Sequence, residues 1–169
     1  MLIRKIQTED NAAVAQIIRL VMTECGAVGA GFSIEDPEVD AMHDAYSSER
    51  AVFYVLEDDG ELVGCGGLAA LDGGDETICE IKKMYFLPEA RGLGHGRILG
   101  EMLLVDASRF EFKRAYIETL ESMLAAQSLY MRLGFEEIEG PLGATGHHGC
   151  DKFFAKDLLP AEMAPELLR

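Results

Sequence analysis

The chain is short of basic residues. Its 169 residues include 15 lysines and arginines against 30 aspartates and glutamates, which gives a formal net charge of −15 at pH 7. Binding of nucleic acid or of an anionic membrane surface needs a basic face that displaces counterions. We therefore expect neither a nucleic acid nor a membrane as a partner. A cationic partner suits the chain better, although acidity can also serve solubility alone.

Cysteines are few and widely spaced, and long apolar runs are lacking. The four cysteines, at positions 25, 65, 79 and 150, form no C-x-x-C pair. A chain with a sizeable core has little need of disulfides, so we expect reduced thiols. No apolar run approaches the roughly 18 residues that span a bilayer. These features predict a cytoplasmic protein.

The length and the apolar content fit one domain. With 49% hydrophobic residues, 169 residues can build one core and not comfortably two. We assign residues 1–157 to a single domain. Residues 158–169, which include two prolines, are predicted to be a C-terminal tail.

Hydrophobic periodicity predicts the element order β-α-α-β-β-β-α-β-α-β-β. Thr8 is the expected cap of the first helix, and the Asp36-Pro37 pair starts a second, short helix that reaches Tyr46. Turns at 58–60 and 72–75 separate three strands of an antiparallel meander. The predicted strands are 1–7, 51–57, 61–71, 76–87, 115–120, 135–139 and 153–156.

A glycine-rich loop, Arg91 to Arg97, follows the meander. Its three glycines, Gly92, Gly94 and Gly96, let backbone N–H groups approach an anion closely, and the helix that begins near Gly94 adds the positive end of its dipole. Arg91 and Arg97 flank the loop with cationic side chains. The loop therefore predicts a phosphate site, with a tight turn that merely needs positive φ as the alternative.

Two motifs in this chain are similar to those of the GNAT N-acetyltransferase superfamily. The first is R-x-x-G-x-G, met by Arg91, Gly94 and Gly96 after an apolar strand, and the second is Y-x-x-x-G-F, met by residues 130–135. They occur in the family's order, and the resemblance covers nearly the whole chain. It implies an α/β (α+β) fold in which helices flank a mixed, mainly antiparallel central sheet.

The resemblance also implies acetyl-CoA as cosubstrate. In this fold the pyrophosphate lies on the glycine-rich loop, and the pantetheine arm runs along a strand edge that splays away from the next strand. An unpaired strand edge is a ready template for such a ligand. The implied cofactor-binding residues are Met84, Tyr85, Phe86, Arg91, Gly92, Leu93, Gly94, His95, Gly96 and Arg97.

Acetyl transfer to an amine needs a base, oxyanion donors and an acid for the leaving thiolate. The resemblance places Glu80 where some members have a general base, and Tyr130 where a tyrosine commonly protonates the CoA sulfur. A backbone N–H near Met84 or Tyr85 would meet the oxyanion. Alternatives stay open: Glu80 as a surface carboxylate, and Tyr130 as a packing residue of its helix.

One position departs from the family pattern. Many relatives carry asparagine seven residues before the tyrosine, where this chain has Met123, which puts cofactor contacts from that helix in doubt. The glycine-rich loops at 26–32 and 143–151 are expected to face the thioester from opposite sides.

The 143–151 loop contains His147, His148, Cys150 and Asp151. Their spacing fits no accepted zinc site, so no metal is expected. Cys150 as an acylated nucleophile lacks an identifiable base.

The predicted function is N-acetyl transfer from acetyl-CoA to a primary amine of a small molecule or peptide. A noncatalytic acyl-CoA-binding sensor is the alternative. A dinucleotide oxidoreductase with Glu118 as ribose ligand fits poorly, because the loop does not complete G-x-G-x-x-G. The identity of the acceptor and a homodimeric assembly stay open.

Overall fold

The computed structural model describes residues 1–160, in which seven strands form one sheet in the order β1-β2-β3-β4-β5-β7-β6. Residues 161–169, most of the predicted tail, lie outside the described residues. The strands are β1 (Leu2–Lys5), β2 (Val52–Asp58), β3 (Glu61–Ala70), β4 (Ile78–Phe86), β5 (Arg114–Thr119), β6 (Glu136–Ile138) and β7 (Lys152–Asp157). The helices are α1 (Asn11–Glu24), α2 (Met42–Ala45), α3 (His95–Arg109) and α4 (Leu124–Arg132).

The predicted element order and fold class are confirmed. Among the described strands, β4 and β5 pair in parallel and all other neighbours are antiparallel. Within residues 1–160, none of the helices is both long and apolar enough to cross a membrane.

Two helix starts differ from the prediction. Thr8 does not cap α1; it begins a 3₁₀ turn, and the carboxylate of Asp10 accepts the Gln7 N–H at 2.7 Å while Arg4 binds the same carboxylate. The segment after Asp36 is a 3₁₀ turn followed by the four-residue α2, because Ala41, with φ −138° and ψ 44°, interrupts the helix.

The sheet is buried on both faces, as the strand β2 shows. Successive side chains of a strand point to opposite faces. Val52 and Tyr54 therefore pack in the cluster that includes residues of α3 and α4, whereas Phe53 and Val55 pack in the cluster built on α1. This explains why β2 is a nearly continuous apolar run.

A bulge interrupts β4 in its middle. Gly67 pairs with Lys82 and Cys65 pairs with Tyr85, so two residues, Lys83 and Met84, lie opposite Gly66. Lys83 has φ 56°, in the left-handed region. A bulge of this kind re-aims a side chain, and here it directs two successive lysines, at 82 and 83, toward the same carboxylate, Glu38.

The strands β4 and β5 separate soon after they meet. Their paired residues are Ile78–Arg114, Cys79–Ala115 and Glu80–Tyr116, and the pairing ends there although both strands continue. The expected splay between these strands is therefore present. It opens one edge of β4 from Ile81 onward and places Glu80 at the point of divergence.

Candidate active site

The glycine-rich loop leads directly into α3. Gly92 and Gly94 have φ of 74° and 87°, and Gly94 is the residue before the first turn of the helix. Within the described chain, the N–H groups of residues 92–96 donate to no backbone acceptor. A Cβ at Gly92 or Gly94 would meet nothing within 4 Å, so no other residue packs against the loop at these two positions. Such an array fits an anionic phosphate group.

The flanking arginines already have carboxylate partners. Arg91 makes a bidentate pair with Glu24 at 2.6 and 2.7 Å and also donates to the carbonyl of Phe86. Arg97 donates to Glu101 at 2.7 Å. The positive groups of the loop that have no partner among the described residues are therefore backbone N–H groups at the start of a helix.

A cleft lies where β4 and β5 separate. One part of its wall is apolar and the other carries charged groups. It is lined by Met22, Cys25, Ala27, Phe32, Ser33, Glu80, Ile81, Lys82, Lys83, Met84, Tyr85, Glu118, Thr119, Leu120, Met123, Tyr130, His147 and Cys150.

The three strand residues expected at the pantetheine arm lie on β4 beyond the divergence point. Met84 and Phe86 pack against the α3 cluster, whereas Tyr85 packs with the α1 cluster and its hydroxyl lies 3.2 Å from Ser33 Oγ. The Phe86 ring also lies beside Gly96. Met84 and Tyr85 line the cleft, and the side chains of all three serve the core.

Glu80 is a buried acid with a free oxygen. The residue is 2% exposed, and Oε2 has no hydrogen-bond partner within residues 1–160. Among the described residues, the cation nearest to that oxygen is Lys82 Nζ, 3.8 Å away. Burial raises the pKa of Glu80 to about 7, opposed by Lys82 and assisted by the charge of Glu118. It is therefore no surface carboxylate, and it can exchange a proton near neutral pH.

Two lysines, one in the bulge and one just before it, enter this acidic region. The ammonium of Lys83, fully buried, binds Asp36 at 2.6 Å and Glu38 at 2.9 Å. Lys82 is held more loosely, with its carboxylate neighbours 3.7 to 3.9 Å away. Both lysines face the site, one paired tightly and one only through longer contacts.

Glu118 and His147 complete the charged wall. His147 Nε2 lies 3.1 Å from Asp36 Oδ2 and its Nδ1 lies 3.5 Å from Glu118 Oε2. Hydrogen bonding to Asp36, then to Glu118, raises the pKa of His147 to about 9, so the ring is an imidazolium at neutral pH. Glu118 also accepts from the hydroxyls of Tyr116, at 2.8 Å, and Thr145, at 3.0 Å.

The side chains of Glu80, Glu118 and His147 also include donor types that divalent metals use. One ligand atom from each lies within 4.8 Å of the others. Both nitrogens of the protonated imidazole face carboxylates, and Lys82 lies beside Glu80. These three groups therefore belong to an ion-pair network with Lys82 and Asp36.

The two glycine-rich loops meet over this cleft. The N–H of Gly149 donates to the carbonyl of Gly31 at 2.9 Å, and a Cβ on Gly149 would overlap the ring of Phe32. At its other end, Ala144 N–H donates to Asp72 O at 2.7 Å. The 143–151 loop thus contacts the 26–32 loop directly and covers the charged wall.

Tyr130 points into the same cleft from α4. It is 6% exposed and its ring makes edge-to-face contacts with Phe135 and Phe154, at centroid distances of 6.3 and 5.8 Å. Burial raises the pKa of the phenol above its usual value, which keeps it protonated. The side chain therefore serves packing and also lines the site.

Met123 and Cys150 lie nearby. The sulfur of Met123 accepts a long hydrogen bond, 3.6 Å, from Thr119 Oγ1. Burial, together with the charges of Glu118 and Glu80, raises the pKa of the Cys150 thiol to about 12, so it is not a thiolate at neutral pH. This disfavours an acyl-enzyme route through Cys150.

Sequence reasoning assigned no part in the active site to Asp36, Lys82, Lys83 or Glu118. For Glu118 the sequence suggests only the role of a ribose ligand in a dinucleotide site. The alternation of β5 places Tyr116 and Glu118 on one face, which was the available signal. No sequence pattern of this kind indicates the bulge that redirects Lys83.

Comparisons with known proteins agree with this geometry. The profile of the Acetyltransferase (GNAT) family matches residues 15–135. The chain is 40% identical over 156 residues to the uncharacterized N-acetyltransferase YjgM of Escherichia coli (strain K12), covering 92% of this chain and 93% of that protein.

Solved structures show the same fold. An acetyltransferase of the GNAT family from Staphylococcus aureus Mu50 superposes with a TM-score of 0.80 at 20% identity, covering 94% of this chain and 99% of that one. YncA, described as an acetyltransferase of Salmonella typhimurium and solved with acetyl-CoA, gives 0.75 at 22% identity, covering 99% of each chain. Acetyl-CoA is the cosubstrate of this family, which confirms the expected cosubstrate class. The chain belongs to the GNAT family of acetyltransferases.

Proposed function

We propose that this protein transfers the acetyl group of acetyl-CoA directly to a primary amine, with Glu80 as general base and Tyr130 as general acid. The observation that carries the proposal is Glu80: a carboxyl 2% exposed, with a free oxygen and a pKa of about 7, at the divergence of β4 and β5. A general base works best when its pKa lies near the working pH.

The donor side follows from the backbone. The free N–H groups of residues 92–96 and the start of α3 suit the pyrophosphate, and the open edge of β4 suits the amides of pantetheine. YncA, which has the same fold, was solved with acetyl-CoA. The thioester would then lie in the cleft between Glu80 and Tyr130, which both line it.

The proton balance uses both side chains. The acceptor enters as an ammonium, because an alkylamine has a pKa above 10. Glu80 removes one proton, the amine nitrogen attacks the thioester carbon, and the C–N bond forms as the C–S bond breaks. Tyr130 gives its phenol proton to the leaving sulfur and regains one from the nitrogen. One proton remains on the amide nitrogen and one leaves through Glu80.

A Glu80→Gln variant tests the proposal. The amide keeps the shape but cannot take a proton, so kcat should fall about 100- to 10,000-fold, while the Kd for acetyl-CoA stays unchanged. Glu61→Gln, on the exposed start of β3, is the matched control and should behave like the native protein. The readout is CoA thiol release over a panel of amines, with the Kd measured calorimetrically.

The outcomes separate the two functional classes. If the Glu80→Gln variant kept the native kcat, Glu80 would not be the general base. Tight acetyl-CoA binding by the native protein, with no amine acetylated across polyamines, aminoglycosides, amino acids and peptides, would instead favour a noncatalytic sensor.

A further inference from the structure

We propose that Glu118 binds the ammonium group of the acceptor, and that the acceptor is a small aliphatic amine taken up as its cation. The inference rests on the proposed function and adds to it the substrate class and the residue that recognises it. Four observations support it: the way Glu118 is fixed, its distance from Glu80, the local charge balance and the cover over the site.

Glu118 is fixed by two hydroxyl donors, and the imidazolium of His147 lies 3.5 Å from its Oε2. Its side chain is 4% exposed, and the hydroxyls of Tyr116 and Thr145 donate to it. Glu80 Oε2, by contrast, accepts no hydrogen bond from the described residues. Two carboxylates in one cleft thus have different surroundings, which suits different tasks. The anchored one can orient a cation, and the unanchored one can take its proton.

The distance between the two acids fits one nitrogen. The ligand oxygens of Glu80 and Glu118 lie at most 4.8 Å apart. An ammonium nitrogen with charge-assisted hydrogen bonds of about 2.8 Å to each can bridge that gap at an angle close to tetrahedral. The same nitrogen then faces both its ligand and its base.

The charge balance favours a cation. Within residues 1–160, the ion pairs around the cleft join five carboxylates to three cationic side chains. The carboxylates are Asp36, Glu38, Asp72, Glu80 and Glu118, and the cations are Lys82, Lys83 and His147. Lys83 and His147 are compensated by Asp36, Glu38 and Glu118. The side chain of Asp72 is 73% exposed, so the buried excess is one carboxylate, and a bound ammonium offsets that charge, which is costly when buried.

The cover over the site favours a small acceptor. The 143–151 loop makes hydrogen bonds or ion pairs with Gly31, Asp36, Asp72 and Glu118. A peptide would have to displace these contacts to bring its amine to a carboxyl that is 2% exposed. A compact amine needs far less rearrangement.

The test compares two amines of similar size and different charge. Ethylamine is a cation at pH 7.5, whereas 2,2,2-trifluoroethylamine is largely uncharged. For Glu118→Gln we expect the KM for ethylamine to rise at least tenfold, and the KM for trifluoroethylamine to stay within twofold. Comparing variants with each amine separately cancels the lower reactivity of the fluorinated one. Glu136→Gln, exposed on β6, is the control and should leave both values unchanged.

Further readouts keep the proposal falsifiable. Glu118→Asp retains the charge and should restore the preference for ethylamine, which a purely structural role would not require. The native protein should acetylate ethylamine with a kcat/KM at least tenfold above that for triglycine. Equal effects of Glu118→Gln on both amines, or a preference for triglycine, would overturn the inference. Failure of the base assignment appears separately, as full kcat in Glu80→Gln.

Discussion

The glycine-rich loop and the acidic cleft, which are the proposed donor end and acceptor end of the site, are built in different ways. The glycine-rich loop presents N–H groups from one continuous segment, residues 92–96, at the start of one helix. The acidic end takes its side chains from β4, β5, the 143–151 loop and the segment around Asp36. The proposed donor end thus consists of backbone groups, whereas the proposed acceptor end consists of side chains that only the tertiary fold brings together.

Charge distinguishes the two ends as well. At the loop, each flanking arginine is matched by one glutamate, Arg91 by Glu24 and Arg97 by Glu101. At the other end, carboxylates outnumber cations among the ion pairs. We infer that the donor end binds through dipoles and the acceptor end through net charge, and that mutations at one end should leave binding at the other unchanged.

Gly94→Asp gives the largest expected effect at the donor end. The φ of 87° strains any L residue there, and a carboxylate in front of the free N–H groups repels pyrophosphate. The Kd for acetyl-CoA should rise at least 100-fold by calorimetry. Gly60→Asp is the matched control, because Gly60 has φ 88° and open space for a Cβ but lies in the β2–β3 turn. Equal Kd values for the two variants would argue against the phosphate site.

Tyr130→Phe probes the junction between the two ends. Removing the phenol should lower kcat about 10- to 100-fold while the Kd for acetyl-CoA stays the same, because only proton delivery to sulfur is lost. Tyr54→Phe is the control: it removes another buried hydroxyl, which donates to Asp106 at 2.6 Å outside the cleft. Its kcat should equal that of the native protein. An unchanged kcat in Tyr130→Phe would leave Tyr130 a packing residue.

The pH dependence of kcat/KM tests the acidic end. Glu80 acts as a base only when ionised, and burial raises its pKa to about 7. The rate should therefore rise with pH up to about 7 and fall about tenfold per unit below it. In the Glu80→Gln variant kcat/KM should be low and should vary little with pH over this range. A limb near pH 4.5 in the native protein would mean that Glu80 titrates as an exposed carboxyl.

The geometry of the glycine-rich loop could be predicted because its information is local, whereas its binding of phosphate stays a prediction. Positive φ at Gly92 and Gly94, a helix start and an apolar strand before them all follow from neighbouring residues. The element order was predictable for the same reason, since periodicity and turn residues are local signals. The predicted starts of the first two helices were wrong. The first depends on the ion pair between Asp10 and Arg4, and the second depends on the backbone conformation of Ala41, which interrupts the helix.

The acidic cleft could be predicted only in part. The place of Glu80 on its strand and the approach of the 143–151 loop follow from the resemblance to the GNAT pattern, whereas their roles in catalysis stay predictions. The partnership of Glu118 with His147 joins residues far apart in the chain, and the position of Lys83 depends on a bulge. Such long-range pairs are fixed by how β4, β5 and the loops pack, which no local pattern encodes.

The smallest expected effect concerns the cover over the acidic end. The pKa of His147 is raised from 6.5 to about 9 by Asp36 and Glu118, so the folded state binds this proton more tightly than the unfolded chain does. The resulting stabilisation is fully present below pH 6.5 and is lost as the pH rises through 9. His147→Gln should therefore lower the free energy of unfolding by about 1 to 2 kcal/mol at pH 6, and the difference should shrink by pH 10.

Urea unfolding of the two proteins at pH 6, 8 and 10 measures this directly. His148→Gln, the exposed neighbour, is the control and should match the native protein at each pH. A His147→Gln deficit that stays constant from pH 6 to 10 would mean that His147 contributes packing alone. A deficit that narrows with pH would show instead that its charge joins the 143–151 loop to Asp36 and Glu118. The loop that covers the acceptor end would then depend on a titratable side chain, whereas the glycine-rich loop presents only backbone groups to its ligand.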